Sequence, residues 1–434
     1  MLGSLEGNMI DPNLLLEDID AVASALGRKG VPAEALQEAH NALLRRRAAL
    51  TKLEGLRAEM NRRSKQVGAL LASHDPAGQT ERQRLSEFKS QITEHEADYR
   101  QADEQFRELM LLLPNLPAPE APDGKGEADN VILRYEGPSV EQYKNRDYRA
   151  HWDIAGELGI FDATRAAKLS GSGFALLYGD GARLVRGLIQ FGTDLHAGTY
   201  TEVLVPHLVR GPLMVGTGHL PKFADEAYNT QPDDLWLIPT GEVPLTGLHQ
   251  DETLEPEDLP KRYMTYTACF RREAGAAGKD TRGFQRVHEF HKLELVRICT
   301  PQTAQAEFEA LLADCERALQ ELELPYRVVD LCTGDLTFSS ARIFDLEVYA
   351  PGVERWLEVA SVGDFTDFQA RRGNIRYRAA GGKTAPVNTL NGSAIATPRL
   401  WAALIEHGQR PDGSVELPEV LVPYVGKRII EPQR

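Results

Sequence analysis

The segment CFRREAGAAGKDTRGFQRVHEFHKLELV, residues 269–296, decides how the C-terminal part of this 434-residue chain is read. It starts apolar, crosses a Gly- and charge-rich middle and returns as an alternating run. That is the pattern of two antiparallel strands around a long loop. The first strand is expected to carry Arg271, Arg272 and Glu273, and the second Arg286, His288, Phe290, Lys292 and Glu294. The last five are each two apart and so share one sheet face. Arg, Phe and Glu together make a poor core and a good bed for an anionic, aromatic ligand. The competing reading is a solvated antiparallel face.

Outward from this hairpin, short apolar runs are split by Gly and Pro: LWLIP (235–239), HKLELVRI (291–298) and RIFDLEVYA (342–350). They lack the regular strand–helix alternation of a doubly wound sheet, so the expected class is α+β, an antiparallel sheet with helices packed on it. No GxGxxG opens a helix and no GxxxxGK[ST] loop occurs, so neither Rossmann nor P-loop nucleotide binding is supported.

The N-terminal part is different. Residues 34–71 and 81–113 are predicted to form two long helices around the break SHDPAGQ (73–79). In the second, Leu85, Phe88, Ile92, His95, Tyr99, Ala102, Phe106, Leu109 and Leu113 alternate spacings of three and four, a heptad seam. The first offers a rougher stripe, Leu36, Leu43, Leu50, Leu53, Leu56, Met60, Val67 and Leu71. A short break makes the helices antiparallel, so an N-terminal coiled-coil hairpin is expected. At 1.5 Å per residue the first helix would be roughly 57 Å long and would project beyond a compact body.

Residues 34–71 hold eight Lys/Arg against four Asp/Glu, and residues 81–110 hold five against eight. Arg45, Arg46, Arg47, Lys52, Arg57, Arg62, Arg63 and Lys65 form either solvated faces paired with the second helix or a rail for phosphates. The sequence leaves both open. The linker LPNLPAPEAPDGKGEADN (113–130) ends the hairpin, giving expected domains at 1–118 and 119–434.

A net charge of −15 argues against a generally sticky nucleic-acid binder, so RNA contact requires a local basic surface. With 26% charged and 42% hydrophobic residues, and no apolar run long enough to span a bilayer, no membrane association is expected. The N-terminus lacks a secretion pattern, and Met9 offers a second start. Cys269, Cys299, Cys315 and Cys332 form no CxxC pair, which points to reduced thiols in cytoplasm rather than zinc or disulfides.

Two further segments carry chemistry. NTLNGSAIATPRLWAALIEH (388–407) runs from a polar strand end into an amphipathic helix bearing Arg399. In LEVASVGDFTDFQARR (357–372), Glu358 and Ser361 offer oxygen ligands suited to Mg²⁺. A lone helical Arg is ordinarily a surface residue; a second Arg-bearing element is what gives Arg399 interest.

The strand–loop–strand with Phe270, Arg271 and Glu273 resembles motif 2 of the class II aminoacyl-tRNA synthetases. The 391–399 segment resembles motif 3, and TEVLVPHLV with Pro206 resembles the dimer-forming motif 1. KLSGSGFALLYGDGARL (168–184), VGTGHLPKF (215–223), LIPTGEVPLT (237–246), AGKDTRG (277–283), LCTGDLTFSSARIFDLEV (331–348) and TLNGS (389–393) are similar to bacterial seryl-tRNA synthetases, in the same order. With the N-terminal hairpin, the resemblance covers nearly the whole chain.

The resemblance implies activation of serine with ATP and transfer to tRNA(Ser), and to tRNA(Sec) where the host has it, by a homodimer. It implies that Arg271 bridges the serine carboxylate and the ATP α-phosphate and that Arg399 holds the γ-phosphate. Phe290 and Val287 would flank adenine, with Arg272, Glu273, Arg286, Val359 and Ala360 completing the nucleotide bed and Glu358 and Ser361 binding Mg²⁺. Thr240, Gly241 and Glu242 align with the TxE segment at the amino group, and Glu294, Asn391 and Ser393 with the rest of the serine pocket. Arg45, Arg46, Lys52, Arg57, Arg62, Arg63 and Lys65 would meet tRNA. A buried carboxylate awaiting the serine hydroxyl rejects alanine, by roughly 10⁴ to 10⁵ at such sites. Three departures stand out: Gly241 where the family usually has Ala or Ser, Val362-Gly363-Asp364 for Cys-Ser-Asn, and Arg272 where Ser is common. The rival readings are a serine-activating enzyme loading a carrier protein and a non-catalytic RNA-binding paralogue. The first would lack the hairpin, and the second would lose Arg271, Glu294 or Arg399.

Overall fold

The computed structural model describes residues 10–144, 146–274 and 282–432. The chain divides into two compact units, Asn8–Pro114 and Asn115–Arg434. Among the described residues no helix is long and apolar enough to cross a membrane.

In the first unit, α1 (Pro12–Glu17) and α2 (Ile19–Gly27) are capped by Asp11 and Asp18, whose side chains accept from Asn13 N and Ala21 N at 2.9 Å. Two long antiparallel helices follow, α3 (Ala33–Ala72) and α4 (Ala77–Leu111). Leu36, Leu43, Leu53 and Val67 from α3 are buried, as is Phe106 from α4, so the heptad reading holds. Leu71 is the exception, 42% exposed at the tip.

The second helix starts at Ala77 rather than residue 81 and stops at Leu111 rather than 113. Its early start has a local cause. Asp75 Oδ1 accepts from Ala77 N at 2.9 Å, and Gly78 sits so close to Leu71 that a Cβ would lie 3.0 Å from its Cδ2. The glycine taken for a turn signal is a packing contact inside the helix. At the other end Pro114 disfavours further helix in the residues just before it.

In the second unit an eight-stranded sheet is built from β1 (Val131–Glu136), β2 (Thr201–Glu202), β3 (Lys261–Phe270), β4 (Glu289–Cys299), β5 (Tyr326–Asp330), β6 (Arg342–Ala350), β7 (Arg355–Asp364) and β8 (Asn388–Ala396). Their order is β1-β5-β6-β7-β8-β4-β3-β2. All pairings are antiparallel except the short β2 against β3. An α+β body is what the split apolar runs predict. The helices α5 (Gly179–His196), α6 (Ala304–Glu321) and α7 (Thr397–His407) pack against the sheet. Leu293, Leu295, Ile395 and Trp401 are fully buried in one core with Phe308 and Phe344, whose rings stack at 5.1 Å. Each such side chain contributes about 1.5–3 kcal/mol by leaving water.

Two register shifts shape the far face of the sheet. One lies between β6 and β7, where Leu346 pairs with Ala360 but Glu347 pairs with Glu358, leaving Val359 extra. The other lies at Ala394, between the pairs Ser393–Glu294 and Ile395–Leu293. Such bulges re-aim side chains. Helix α7 is buried almost all round, not amphipathic as expected: every residue from Thr397 to Glu406 except Arg399 is buried.

Candidate active site

A cavity of about 490 Å³ opens over the β3–β4 hairpin, β7, β8 and the first turn of α7. Thr240, Glu242, Arg271, Glu273, Arg286, Val287, Phe290, Glu358, Val359, Ala360, Ser361, Asn391, Ser393 and Arg399 all line it.

At one end Glu294 lies beneath the wall, fully buried. Its side chain shares a row across three strands with Thr265 on β3 and Ser393 on β8. Oε2 accepts from Thr240 Oγ1 at 2.5 Å and pairs with the Lys292 ammonium; Oε1 accepts from Asn391 Nδ2 at 2.8 Å and from Ser393 Oγ at 3.3 Å. Lys292 Nζ also donates to Thr240 Oγ1 at 2.9 Å. A carboxylate offers about four acceptor positions, so this one is saturated. Burying it is tolerable only because a cation and three neutral donors replace water.

Beside it Glu242 accepts from Gln369 Nε2 at 2.6 Å, and Thr389 Oγ1 holds Gln369 Oε1 at 2.7 Å. Burial pushes the Glu242 carboxyl up to about 7, the Gln369 hydrogen bond offsetting part of the rise. Burial, with Arg271 and Lys292 nearby, pushes His219 down to about 3, so its ring is neutral.

At the other end Arg271 Nε donates to Pro239 O at 3.3 Å while its guanidinium lies over the Phe290 ring, 5.2 Å from the centroid. Glu273 has φ +52°, a left-handed conformation uncommon outside glycine, and its carboxylate accepts from Arg286 Nε at 2.5 Å. Arg399, in the first turn of α7, donates to the Glu358 carbonyl at 2.9 Å and to its carboxylate at 3.0 Å. The helix amino end adds its own positive dipole there, so this corner is prepared for an anion.

Glu358 and Ser361 are three apart and would face opposite sides of a regular strand. The extra residue Val359 turns them to the same side. Beside them, paired across the ladder with Ser361, Asp345 is held well above the usual carboxylate range by burial and then by the Glu358 charge, a hydrogen bond with Ser361 offsetting part of the rise. Its Oδ1 is out of solvent with no hydrogen-bond partner among the described residues.

The loop between β3 and β4 is fastened at its return. Phe284 N donates to His151 Nε2 at 3.1 Å, which leaves His151 Nδ1 to donate to Glu406 Oε1 at 2.8 Å. Gly283 (φ +78°) is required there, because a Cβ would lie 2.2 Å from His151 Nε2. Glu406 Oε2 in turn accepts from Gly352 N and Val353 N at 2.8 and 3.2 Å.

Several expectations change. Arg271, Arg272 and Glu273 follow the first strand rather than lying on it, since β3 ends at Phe270. Arg286 and His288 precede β4, which begins at Glu289, so only Phe290, Lys292 and Glu294 share its face. The ladder runs one bond past the strands, Arg271 N to His288 O at 2.9 Å, and then the chains part to make the loop. Gly241, Arg272 and Glu294 do not line the cavity. Arg272 is exposed, its backbone N donating to Glu226 O. Residues 275–281, part of the similarity segment AGKDTRG, lie outside the described residues. Sequence reasoning missed the site roles of His219, Lys292, Gln369 and Asp345. The only signals were the polar segments that contain them; Gln369 meets Glu242 and Thr389, and Asp345 meets Ser361, only through tertiary contacts.

On the hairpin, Arg46 is part of the helix–helix contact: it donates to Asp103 at 2.5 Å and to Tyr99 Oη at 3.3 Å, and lies over the Phe106 ring. Arg57 pairs with Glu96, and Arg62 and Arg63 with Glu59. Arg45, Lys52 and Lys65 are exposed.

Residues 9–117 match the seryl-tRNA synthetase N-terminal domain family, and residues 223–408 the tRNA synthetase class II core domain family (G, H, P, S and T). A serine–tRNA ligase from Synechococcus sp. (strain RCC307) is 44% identical over 430 residues, covering 98% of this chain and all of that protein. One from Gemmatimonas aurantiaca is 46% identical over 431 residues, covering 97% and 100%. Among solved structures, seryl-tRNA synthetase from Pyrococcus horikoshii complexed with ATP aligns with a TM-score of 0.91 at 35% identity, over 98% of this chain and 100% of that one. With both family matches in chain order and near-complete relatives well above 30% identity, this chain belongs to the seryl-tRNA synthetase family.

Proposed function

We propose that the chain activates serine with ATP and transfers it to tRNA(Ser), with chemistry in the cavity over β3, β4, β7 and β8. The serine carboxylate oxygen attacks the α-phosphorus, the bond to pyrophosphate breaks, and the tRNA ribose hydroxyl then displaces AMP from the seryl carbonyl. No protein nucleophile is needed. Catalysis is positioning and charge stabilisation.

Arg271 bridges the serine carboxylate and the α-phosphate, moving off Phe290 as the adenine stacks between that ring and Val287. Arg399 takes the γ-phosphate, and Glu273 with Arg286 completes the nucleotide bed beside Val359 and Ala360. Thr240 and the ionised Glu242 receive the amino group. Glu294, Asn391 and Ser393 meet the serine hydroxyl. The observation that carries this reading is that Arg271 and Arg399 line one cavity with Thr240, Glu242 and Ser393.

Mg²⁺ suits the oxygen donors of Glu358 and Ser361. Such an ion usually takes one or two protein carboxylate or hydroxyl ligands and completes its shell with water and phosphates. When bound, Mg²⁺ neutralises charge on the leaving pyrophosphate.

The tRNA-binding surface is the basic side of α3, with the exposed Arg45, Lys52 and Lys65 as its phosphate contacts and the ion-paired Arg57, Arg62 and Arg63 along it. A homodimer is supported by exposed apolar residues: Leu204 at 89%, and Val131, Ile132, Leu133 and Tyr135 along the edge strand β1. A cytoplasmic setting is supported by four free, buried cysteines.

The test is serine-dependent ATP–pyrophosphate exchange without tRNA, run across the amino acids. Exchange with serine that is lost in Arg271→Ala is expected. Absence of exchange with serine in the wild-type chain would sink the reading.

A further inference from the structure

Gly241 has φ −63° and ψ −16°, ordinary helical values open to any residue, so its backbone does not demand glycine. Space does. A Cβ at this position would lie 2.7 Å from Thr265 Cγ2, 3.1 Å from Glu294 Cβ and 3.5 Å from Thr267 Oγ1. The first separation is one that real Cβ atoms essentially never show, and Glu294, the second group it meets, is held by its four side-chain contacts. Thr265 is fully buried on β3, directly across the ladder from Glu294. Its methyl fills the volume beneath Gly241 and its Oγ1 has no hydrogen-bond partner among the described residues, so the side chain serves there as packing.

The contact matters because of what it touches on either side. Gly241 joins Thr240, which donates to Glu294 Oε2, to Glu242, whose backbone N donates to Thr240 Oγ1 at 3.2 Å. Thr265 faces the stem of Glu294 itself. A displacement at either member moves the Thr240–Glu242 turn and the Glu294 carboxylate relative to one another.

We propose that Gly241 and Thr265 are a complementary pair of positioning residues that set the serine end of the site: the threonine methyl occupies the space a larger residue 241 would need. This rests on the reading of Glu294 and Glu242 as serine contacts. Neither member touches substrate. Their effect reaches serine through the spacing of those two carboxylates, and it leaves the ATP end alone.

The experiment measures kcat, serine KM and ATP KM in serine-dependent exchange, with Tm for each protein, in Gly241→Ala and in Gly241→Ala combined with Thr265→Ser, which deletes Cγ2. Gly241→Ala is expected to raise serine KM roughly 10- to 100-fold, the scale on which a displacement near 1 Å acts, with ATP KM within about twofold. The double variant is expected to recover most of the loss. Unchanged serine KM in folded Gly241→Ala overturns the pair, as does a double variant no better than the single one. If Gly241→Ala does not yield folded protein, the double variant decides alone: near-wild-type serine KM upholds the pair, and a serine KM raised about 10-fold or more overturns it. Glu294→Gln tests the underlying reading separately, since unchanged serine KM there overturns that assignment whatever the pair does.

Discussion

Ser393 Oγ lies 3.3 Å from Glu294 Oε1, the longest of the donor contacts converging on that carboxylate. It is therefore the contact a substrate hydroxyl displaces at least cost. Ser393→Ala is expected to change serine KM by no more than about tenfold, the worth of one net neutral hydrogen bond. Glu294→Gln leaves the buried Lys292 without its counter-charge and is expected to cost 100-fold or more, on the order of 3 kcal/mol. Exchange kinetics with serine and alanine check both, and equal losses in the two variants would contradict the ranking.

Glu242 gives the site a pH dependence. With its carboxyl pushed up to about 7 by burial, serine binding that needs the ionised form weakens about tenfold per pH unit below that value. Stability runs the other way. Between the ordinary 4.5 and about 7 the folded chain holds a proton that the unfolded chain has lost, so Glu242 makes the protein less stable as pH rises through that window. Glu242→Gln is expected to flatten the stability profile there. Calorimetric serine binding and denaturant unfolding from pH 5 to 8 measure the two effects, and parallel profiles for wild type and variant would refute the assignment.

On the hairpin, cations outside ion pairs are expected to separate from Arg46, which is part of the helix contact. Replacing exposed Arg45, Lys52 and Lys65 with Ala should weaken tRNA charging and lower its salt sensitivity, by a slope change of somewhat under one for each phosphate no longer neutralised. Exchange without tRNA and Tm should hold. Arg46→Ala should instead destabilise the helix pair, because Arg46 packs between Tyr99 and Phe106 and pairs with Asp103. Charging kinetics from 50 to 200 mM salt, with thermal unfolding, distinguish the two groups.

Glu406 is expected to matter for stability more than its distance from the cavity suggests. It accepts from the His151 ring and from three backbone amides, those of His151, Gly352 and Val353, and His151 holds Phe284 at the return of the β3–β4 loop. Glu406→Ala strands these buried donors and should cost about 3 kcal/mol or more. Urea unfolding measures the loss; a cost below about 1 kcal/mol would show that the network is dispensable.

The sequence by itself determined the elements whose signal is local. The heptad spacing from Leu85 to Phe106 located the long hairpin, and the alternation from Phe290 to Glu294 located the strand on which the cavity rests. These patterns depend only on 3.5- and 2-residue periods, which neighbouring residues carry between them. Tertiary structure alone decided the rest. Glu294 finds its donors at Thr240, Lys292, Asn391 and Ser393, brought together by strand register. Glu358 and Ser361 reach one side only because Val359 is an extra residue in the ladder, and no spacing rule announces a bulge. Gly78, which looked like a turn, lies inside a helix because Leu71 packs on it; Gly241, whose backbone needs no glycine, is fixed by the methyl of Thr265. For Glu294 the deciding partners Thr240, Asn391 and Ser393 lie 54 to 99 residues away along the chain, so these contacts exist only once the strands have paired.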